Sequence, residues 1–289
     1  MQYIAHPSAD NATQQILLAF TCNMQYITHQ DRRSPVASET TGHPGARTER
    51  QSTMSTTDQE VKNVVLVHGA FADGSGWRGV YDNLTARGYR VTIVQNPLTS
   101  LEDDVAATTR VLDLQDGPTI LVGHSWGGTV ITEAGAHANV AGLVYVSALA
   151  PDAGETTAQQ YDGFAPTPNF VIDVGGDGYG FLNYDKFKAG FAADASDADA
   201  AFLRDTQVPI NMSVFETPVK NAAWRHKPSW AVIATEDQSF DQAMLQHMAK
   251  RAGAKITNVS ASHALFITQS GVVSDVIVTA AENSTGSAD

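Results

Sequence analysis

Asn63-Val64-Val65-Leu66-Val67 is a continuous, mostly β-branched run that ends in His68-Gly69. A short run without polar alternation is the pattern of a strand buried on both faces of a parallel sheet. Trp77, Val80, Tyr81 and Leu84 then recur at helical spacing and stop at Gly88, a residue suited to the left-handed position that ends a helix. A strand-like run over 89–94 follows. The alternation continues with a helix over 101–112, a strand over 119–122, a helix from 126 to about 137 and a strand over 140–147. After a break come a strand over 229–234, a helix face on Phe240, Met244, Leu245 and Met248, a strand over 255–259, and a last helix face on Val273, Val276, Ile277 and Ala280. Repeated βα units predict an α/β fold: a doubly wound, mostly parallel sheet with right-handed crossovers and its chemistry at the carboxyl ends of the strands.

The break spans residues 151–224. It holds 11 of the chain's 23 aromatic residues, and 11 acids against 4 bases. Both of its ends return to the same sheet, at the end where ligands bind, so it reads as a helical lid inserted between two strands. Residues 61–283 then form one folded unit, with 284–289 as a tail. Residues 1–60 carry four Arg, no Lys, six acids and no sustained apolar period, and are expected to be a mostly unpacked extension. Their longest apolar run, Ile16-Leu17-Leu18-Ala19-Phe20, is short for a secretory signal and lacks a basic lead, while the acids argue against a transit peptide. Cytoplasm is the expected compartment. Met1-Gln2-Tyr3-Ile4 recurs as Met24-Gln25-Tyr26-Ile27; a duplication or an upstream start accounts for this more simply than a function does, with Met54 as the alternative start.

Composition narrows the function classes. With 43% hydrophobic and 17% charged residues the chain is neither disordered nor built of membrane spans, and its formal net charge of -13 would repel a phosphate backbone or an anionic lipid surface. Nucleic acid and membrane are therefore not expected partners. The single cysteine, Cys22, can form neither an intrachain disulfide nor a thiolate metal cluster.

At the end of the third predicted strand stands Gly123-His124-Ser125-Trp126-Gly127-Gly128, of the form G-x-S-x-G. A sharp strand-to-helix turn forces its serine into strained dihedrals and brings backbone close on either side, which small residues permit. Ser125 would project above the sheet as a nucleophile, and the Trp126 N–H would point to where an oxyanion forms. Such a serine needs a base, and the base needs an orienting acid. His263, in the loop after the last strand, stands at the same edge of the sheet and completes the order Ser, acid, His. Asp237 is the expected acid because it ends the preceding strand, with the adjacent Glu236 and the more distant Asp152 as alternatives; a helix N-cap is its bland role, and both can coexist. The second oxyanion donor is expected from the loop after the first strand, at the Ala70 N–H, with Phe71 next. His68 reads as a structural residue of that turn. The glycine-rich stretches Gly74-Ser75-Gly76 and Gly175-Gly176-Asp177-Gly178 lack a phosphate-binding context, no metal motif occurs, and neither cofactor nor metal is expected.

With these residues assembled, the chain from about 61 to 283 resembles the α/β-hydrolase superfamily. His68-Gly69-Ala70-Phe71-Ala72-Asp73-Gly74-Ser75-Gly76-Trp77, the Ser125 hexapeptide, the segment 228–237 and Ala261-Ser262-His263 look like a bacterial esterase-like branch, similar to the plant methylesterase and hydroxynitrile lyase group. The resemblance implies Ser125 as nucleophile, Asp237 as acid, His263 as base, and Ala70 and Trp126 as oxyanion donors. Where relatives often carry a basic residue and a proline after the acid, this chain has Gln238-Ser239-Phe240-Asp241. The expected activity is a serine esterase acting on small neutral esters, apolar or aromatic, since the aromatic and acidic break would favour them over anions. The alternatives on the same residues are a lyase in which His263 deprotonates a bound alcohol, a perhydrolase, or a non-catalytic small-molecule receptor. The sequence sets no oligomeric state.

Overall fold

A computed structural model gives the structure of the protein, described for residues 60–284. Apart from residues 60 and 284, the expected extension and tail lie outside the described residues. In chain order the strands are β1 (Asn63–Val67), β2 (Arg90–Val94), β3 (Thr119–His124), β4 (Val140–Val146), β5 (Ile172–Val174), β6 (Tyr179–Leu182), β7 (Ile210–Asn211), β8 (Ser229–Ala234) and β9 (Lys255–Val259). The α-helices are α1 (Arg78–Ala86), α2 (Leu101–Asp113), α3 (Gly127–Ala134), α4 (Phe187–Phe191), α5 (Asp197–Asp205), α6 (Gln242–Arg251), α7 (Leu265–Thr268) and α8 (Ser270–Asn283).

Six strands form one sheet in the order β2-β1-β3-β4-β8-β9, every pair parallel. All five residues of β1 are buried, as are all six of β3 and β8, as the uninterrupted apolar runs predict. α1 and α8 pack together on one face, α2 and α3 on the other, which is the doubly wound arrangement. β1 sits between β2 and β3, so the connections leaving β1 and β3 turn to opposite sides. In open α/β sheets ligands bind at such a reversal, beyond the carboxyl ends of the two strands. The loop at His68 and the turn at Ser125 stand at those strand ends.

β4 and β8 are neighbours in the sheet, yet residues 147–228 run between them. This segment contains the expected insertion, but its helices α4 and α5 stand beside a three-stranded antiparallel sheet, β5-β6-β7, where the sequence predicts helix alone. The reason is local. Gly175-Gly176-Asp177-Gly178 closes a tight hairpin through Gly175 N–H to Tyr179 C=O at 2.7 Å, with Gly178 at φ +83, a conformation glycine adopts freely. Two shorter departures from the predicted boundaries occur: α3 ends at Ala134, and α6 begins at Gln242, leaving Phe240 as a buried loop residue.

Candidate active site

β3 enters α3 through Ser125 and Trp126. Ser125 has φ +52, a region that costs an L-residue about 1–3 kcal/mol, so its neighbours must hold it there. Its N–H donates to the Val146 C=O at 3.3 Å, and its C=O accepts from Gly128 N–H at 2.9 Å and Leu149 N–H at 3.2 Å. The flanking glycines are set by close approach: a Cβ on Gly123 would lie 2.4 Å from the Gly127 carbonyl oxygen, and one on Gly127 would lie 2.6 Å from that of Val67. The loop after β1 presses on the same turn, since a Cβ on Gly69 would stand 2.8 Å from the Ser125 Cβ. Ala70 and Phe71 follow, Phe71 at φ +60. Among the described residues no acceptor takes the N–H of Ala70 or of Trp126.

Asp237 follows β8 and His263 follows β9. The Asp237 Oδ1 accepts the backbone N–H groups of Ser239 at 2.8 Å and Phe240 at 2.9 Å. Its Oδ2 lies 2.7 Å from His263 Nδ1, and both side chains are fully buried. A carboxylate only accepts, so Nδ1 is the donor, and in the neutral ring Nε2 is then the nitrogen with the lone pair. That Nε2 is buried with no hydrogen-bond partner among the described residues. The other two candidate acids go elsewhere: Glu236 accepts from the Ser260 hydroxyl at 2.5 Å, and Asp152 pairs with Arg225 at 2.7 Å. The N-cap of α6 is Asp241, which accepts from Ala243 and Met244 N–H, so Asp237 has no capping role.

Two further histidines brace the site. His124 Nε2 donates to the His263 C=O at 3.0 Å, with the two rings 4.5 Å apart. Burial, and then the neighbouring His263, hold its pKa well below the ordinary value, so it is neutral. His68 Nε2 accepts the Asn96 N–H and Nδ1 donates to the Gly69 C=O, both at 2.9 Å. Burial lowers its pKa too, and it holds the loop that carries Ala70.

A sequence model described as the alpha/beta hydrolase family matches residues 64–276. The chain belongs to the alpha/beta hydrolase family. A pyrethroid hydrolase of Sphingobium wenxiniae is 35% identical over 109 residues, covering 33% of this chain and 39% of that protein; the chain thus spans well under half the length of this curated relative. The crystal structure of a pyrethroid hydrolase from Sphingobium faniae superposes with a TM-score of 0.66 at 22% identity, over 77% of this chain and 98% of the other. Polyneuridine aldehyde esterase gives a TM-score of 0.67 at 18% identity, over 76% of this chain and 99% of its own. These two structures establish the shared fold.

In this alpha/beta hydrolase the segment between β4 and β8 is tied to the loops that carry Asp237 and His263. The Gly190 C=O accepts the Ser239 hydroxyl at 2.8 Å, and the Phe191 C=O accepts the Ala264 N–H at 3.0 Å. Asp194 accepts from Thr268 at 2.8 Å and also from the Ser262 hydroxyl. Phe191 and Phe240 meet the His263 ring edge-on, at 5.0 and 4.9 Å. Next to the Ser125 turn, the Asp104 carboxylate accepts the Trp126 indole N–H and the Leu98 N–H, each at 2.8 Å. Phe215 of the insertion packs edge-on against that indole at 5.5 Å. Sequence reading misses these partners: a carbonyl has no side-chain signature, and Asp104 reads as one of three acids in the first turn of α2. Among the described residues no helix is long and apolar enough to cross a membrane, and no group of three or more His, Cys, Asp and Glu is placed to hold a metal ion.

Proposed function

We propose that this protein is a serine esterase, with the insertion over residues 151–224 as its lid. The observation that carries the reading is the buried Asp237–His263 pair, whose unpartnered Nε2 belongs to a ring packed beside the turn that holds Ser125 at positive φ. Nε2 removes the Ser125 hydroxyl proton as Oγ bonds to the ester carbonyl carbon. The carbonyl oxygen gains the negative charge, and the Ala70 and Trp126 N–H groups donate to it. Collapse breaks the bond to the leaving oxygen, which takes the proton from Nε2 and departs as the alcohol. Water then repeats the sequence on the acyl-enzyme, releasing the carboxylic acid and restoring Ser125.

The surroundings support a reading of the substrate class. Phe191, Phe215 and Phe170 face the site region from the insertion, Phe170 meeting Phe71 edge-on at 6.2 Å, so an apolar acyl or aryl group has rings to pack on. Small neutral apolar or aromatic esters fit this lining, and the relative named for pyrethroid hydrolysis supports a hydrolytic role. Fluorophosphonate labelling followed by peptide mass mapping tests the reading. An adduct on Ser125, absent from Ser125→Ala, is the expected result; ester turnover with the adduct elsewhere refutes it, and turnover of an alcohol substrate with no adduct points to lyase chemistry.

A further inference from the structure

Asp104 lies in the first turn of α2 and is completely buried. Among the described residues no cation pairs with it: its side-chain partners are two N–H groups, and the charged group acting on it is a second carboxylate, Asp103 on the same turn. Burial outweighs the two hydrogen bonds and lifts its pKa from the ordinary 3.8 to about 6. Burying such a carboxylate opposes stability, so what it holds is informative. One oxygen holds the indole N–H of Trp126, the residue whose backbone N–H is the proposed oxyanion donor next to Ser125. The other holds the N–H of Leu98, a non-glycine residue at φ +59. The Leu98 C=O in turn accepts the Asn211 N–H at 2.9 Å, at the end of β7 in the insertion, and the indole is covered by Phe215 from the next turn of that insertion.

Resting on the esterase reading, we propose that Asp104 is a positioning residue for the reaction: its carboxylate locks the Trp126 indole to the Leu98 turn, keeping the Trp126 N–H and the overlying insertion in register with Ser125. Two oxygens that only accept are needed for two donors. An asparagine offers one acceptor and turns its NH₂ against whichever N–H remains.

Four proteins test this on p-nitrophenyl butyrate: wild type, Asp104→Asn, Trp126→Phe and the double variant. Asp104→Asn should lower kcat by about 10- to 100-fold with KM changed less than about 3-fold, the size of effect expected when a catalytic group is displaced and retained. Trp126→Phe, which lacks the indole donor, should show a loss of similar size, and because both changes break one lock the double variant should be little slower than the slower single variant. Wild-type kcat in Asp104→Asn or in Trp126→Phe, or losses that multiply in the double variant, overturns the proposal. The ¹⁵N-indole resonance of Trp126, assigned by its absence from Trp126→Phe, should move between pH 5 and 7.5 in wild type and stay fixed in Asp104→Asn. If wild type takes no fluorophosphonate and cleaves no ester, the esterase reading fails by itself; a Trp126 indole resonance that is the same in wild type and Asp104→Asn overturns the Asp104 coupling whether or not the esterase reading stands.

Discussion

Replacing Asp237 by asparagine should nearly abolish turnover, and the geometry says by what route. The Oδ1 position accepts two backbone N–H groups, from Ser239 and Phe240, so an amide at this site must keep its oxygen there and turn its NH₂ toward His263. The reverse orientation would set NH₂ against two N–H donors. Facing a donor, His263 Nδ1 becomes an acceptor and its proton moves to Nε2, the nitrogen that must be free to receive a proton from Ser125. The wrong tautomer in an otherwise intact triad has lowered kcat about 10⁴-fold in another serine hydrolase, equivalent to about 5.4 kcal/mol of transition-state stabilisation. The assay is steady-state hydrolysis of a p-nitrophenyl ester together with the rate of fluorophosphonate labelling. Both should fall by roughly that factor while KM stays within a few-fold, because the change touches proton transfer and leaves the binding surface alone. Asp152→Asn, at the Arg225 pair, serves as the control and should retain its activity. An Asp237→Asn enzyme with a tenth or more of wild-type kcat, or a dead Asp152→Asn, would refute the tautomer argument.

Gly127→Ala places a Cβ 2.6 and 2.8 Å from the carbonyl oxygens of Val67 and His68, backbone that cannot step aside; overpacking of this kind costs about 1–3 kcal/mol, and thermal melting should show a drop of several degrees, with an unchanged Tm counting against the close-approach account. Asp104 titrates near 6 when folded and near 3.8 when not, so between these values the folded chain binds the extra proton; the contribution is fullest below pH 4 and is lost as pH climbs through 6. The loss amounts to about 3 kcal/mol, so Tm of Asp104→Asn minus Tm of wild type should rise from pH 4.5 to 7.5, and a flat difference would contradict it. Asp194→Ala removes the acceptor for Ser262 and Thr268 on either side of His263, and should lower kcat and cost about 1–2 kcal/mol by denaturant titration. Because the insertion carries 11 acids and 4 bases, kcat/KM for neutral aryl or medium-chain esters should exceed that for dicarboxylate esters of similar size; equal turnover at low salt would show that this charge faces away from the site.

The parts of the fold that could be read from the chain are those whose physics is local. Both-face burial writes itself into β1, β3 and β8 as unbroken apolar runs, and the close backbone approach at Ser125 writes itself as glycines at fixed spacing. The contact between Asp237 and His263 is non-local, but strand order confines it to loops at one edge of the sheet, which is why a choice among three acids could be framed at all. What could not be read is equally specific. The short strands β5, β6 and β7 are only two to four residues long, below the length at which alternation is distinct from chance. Asp104 was hidden because an acid early in a helix is ordinarily there for the helix dipole, and nothing in its neighbours Glu102 and Asp103 marks it as the buried one.

The carbonyls of Gly190 and Phe191 also set terms for how this chain can recombine with its relatives. They belong to the insertion, yet they seat Ser239 beside Asp237 and Ala264 beside His263. A graft that carries in a whole foreign insertion would therefore arrive without the partners those two loops are folded against. A crossover inside the β5–β6 hairpin, where Val174 and Phe181 are exposed, leaves the seats intact. Diversity among chimeras should then accumulate at the hairpin, while the stretch from α4 to Asp194 is inherited together with the loops at Asp237 and His263 as one block.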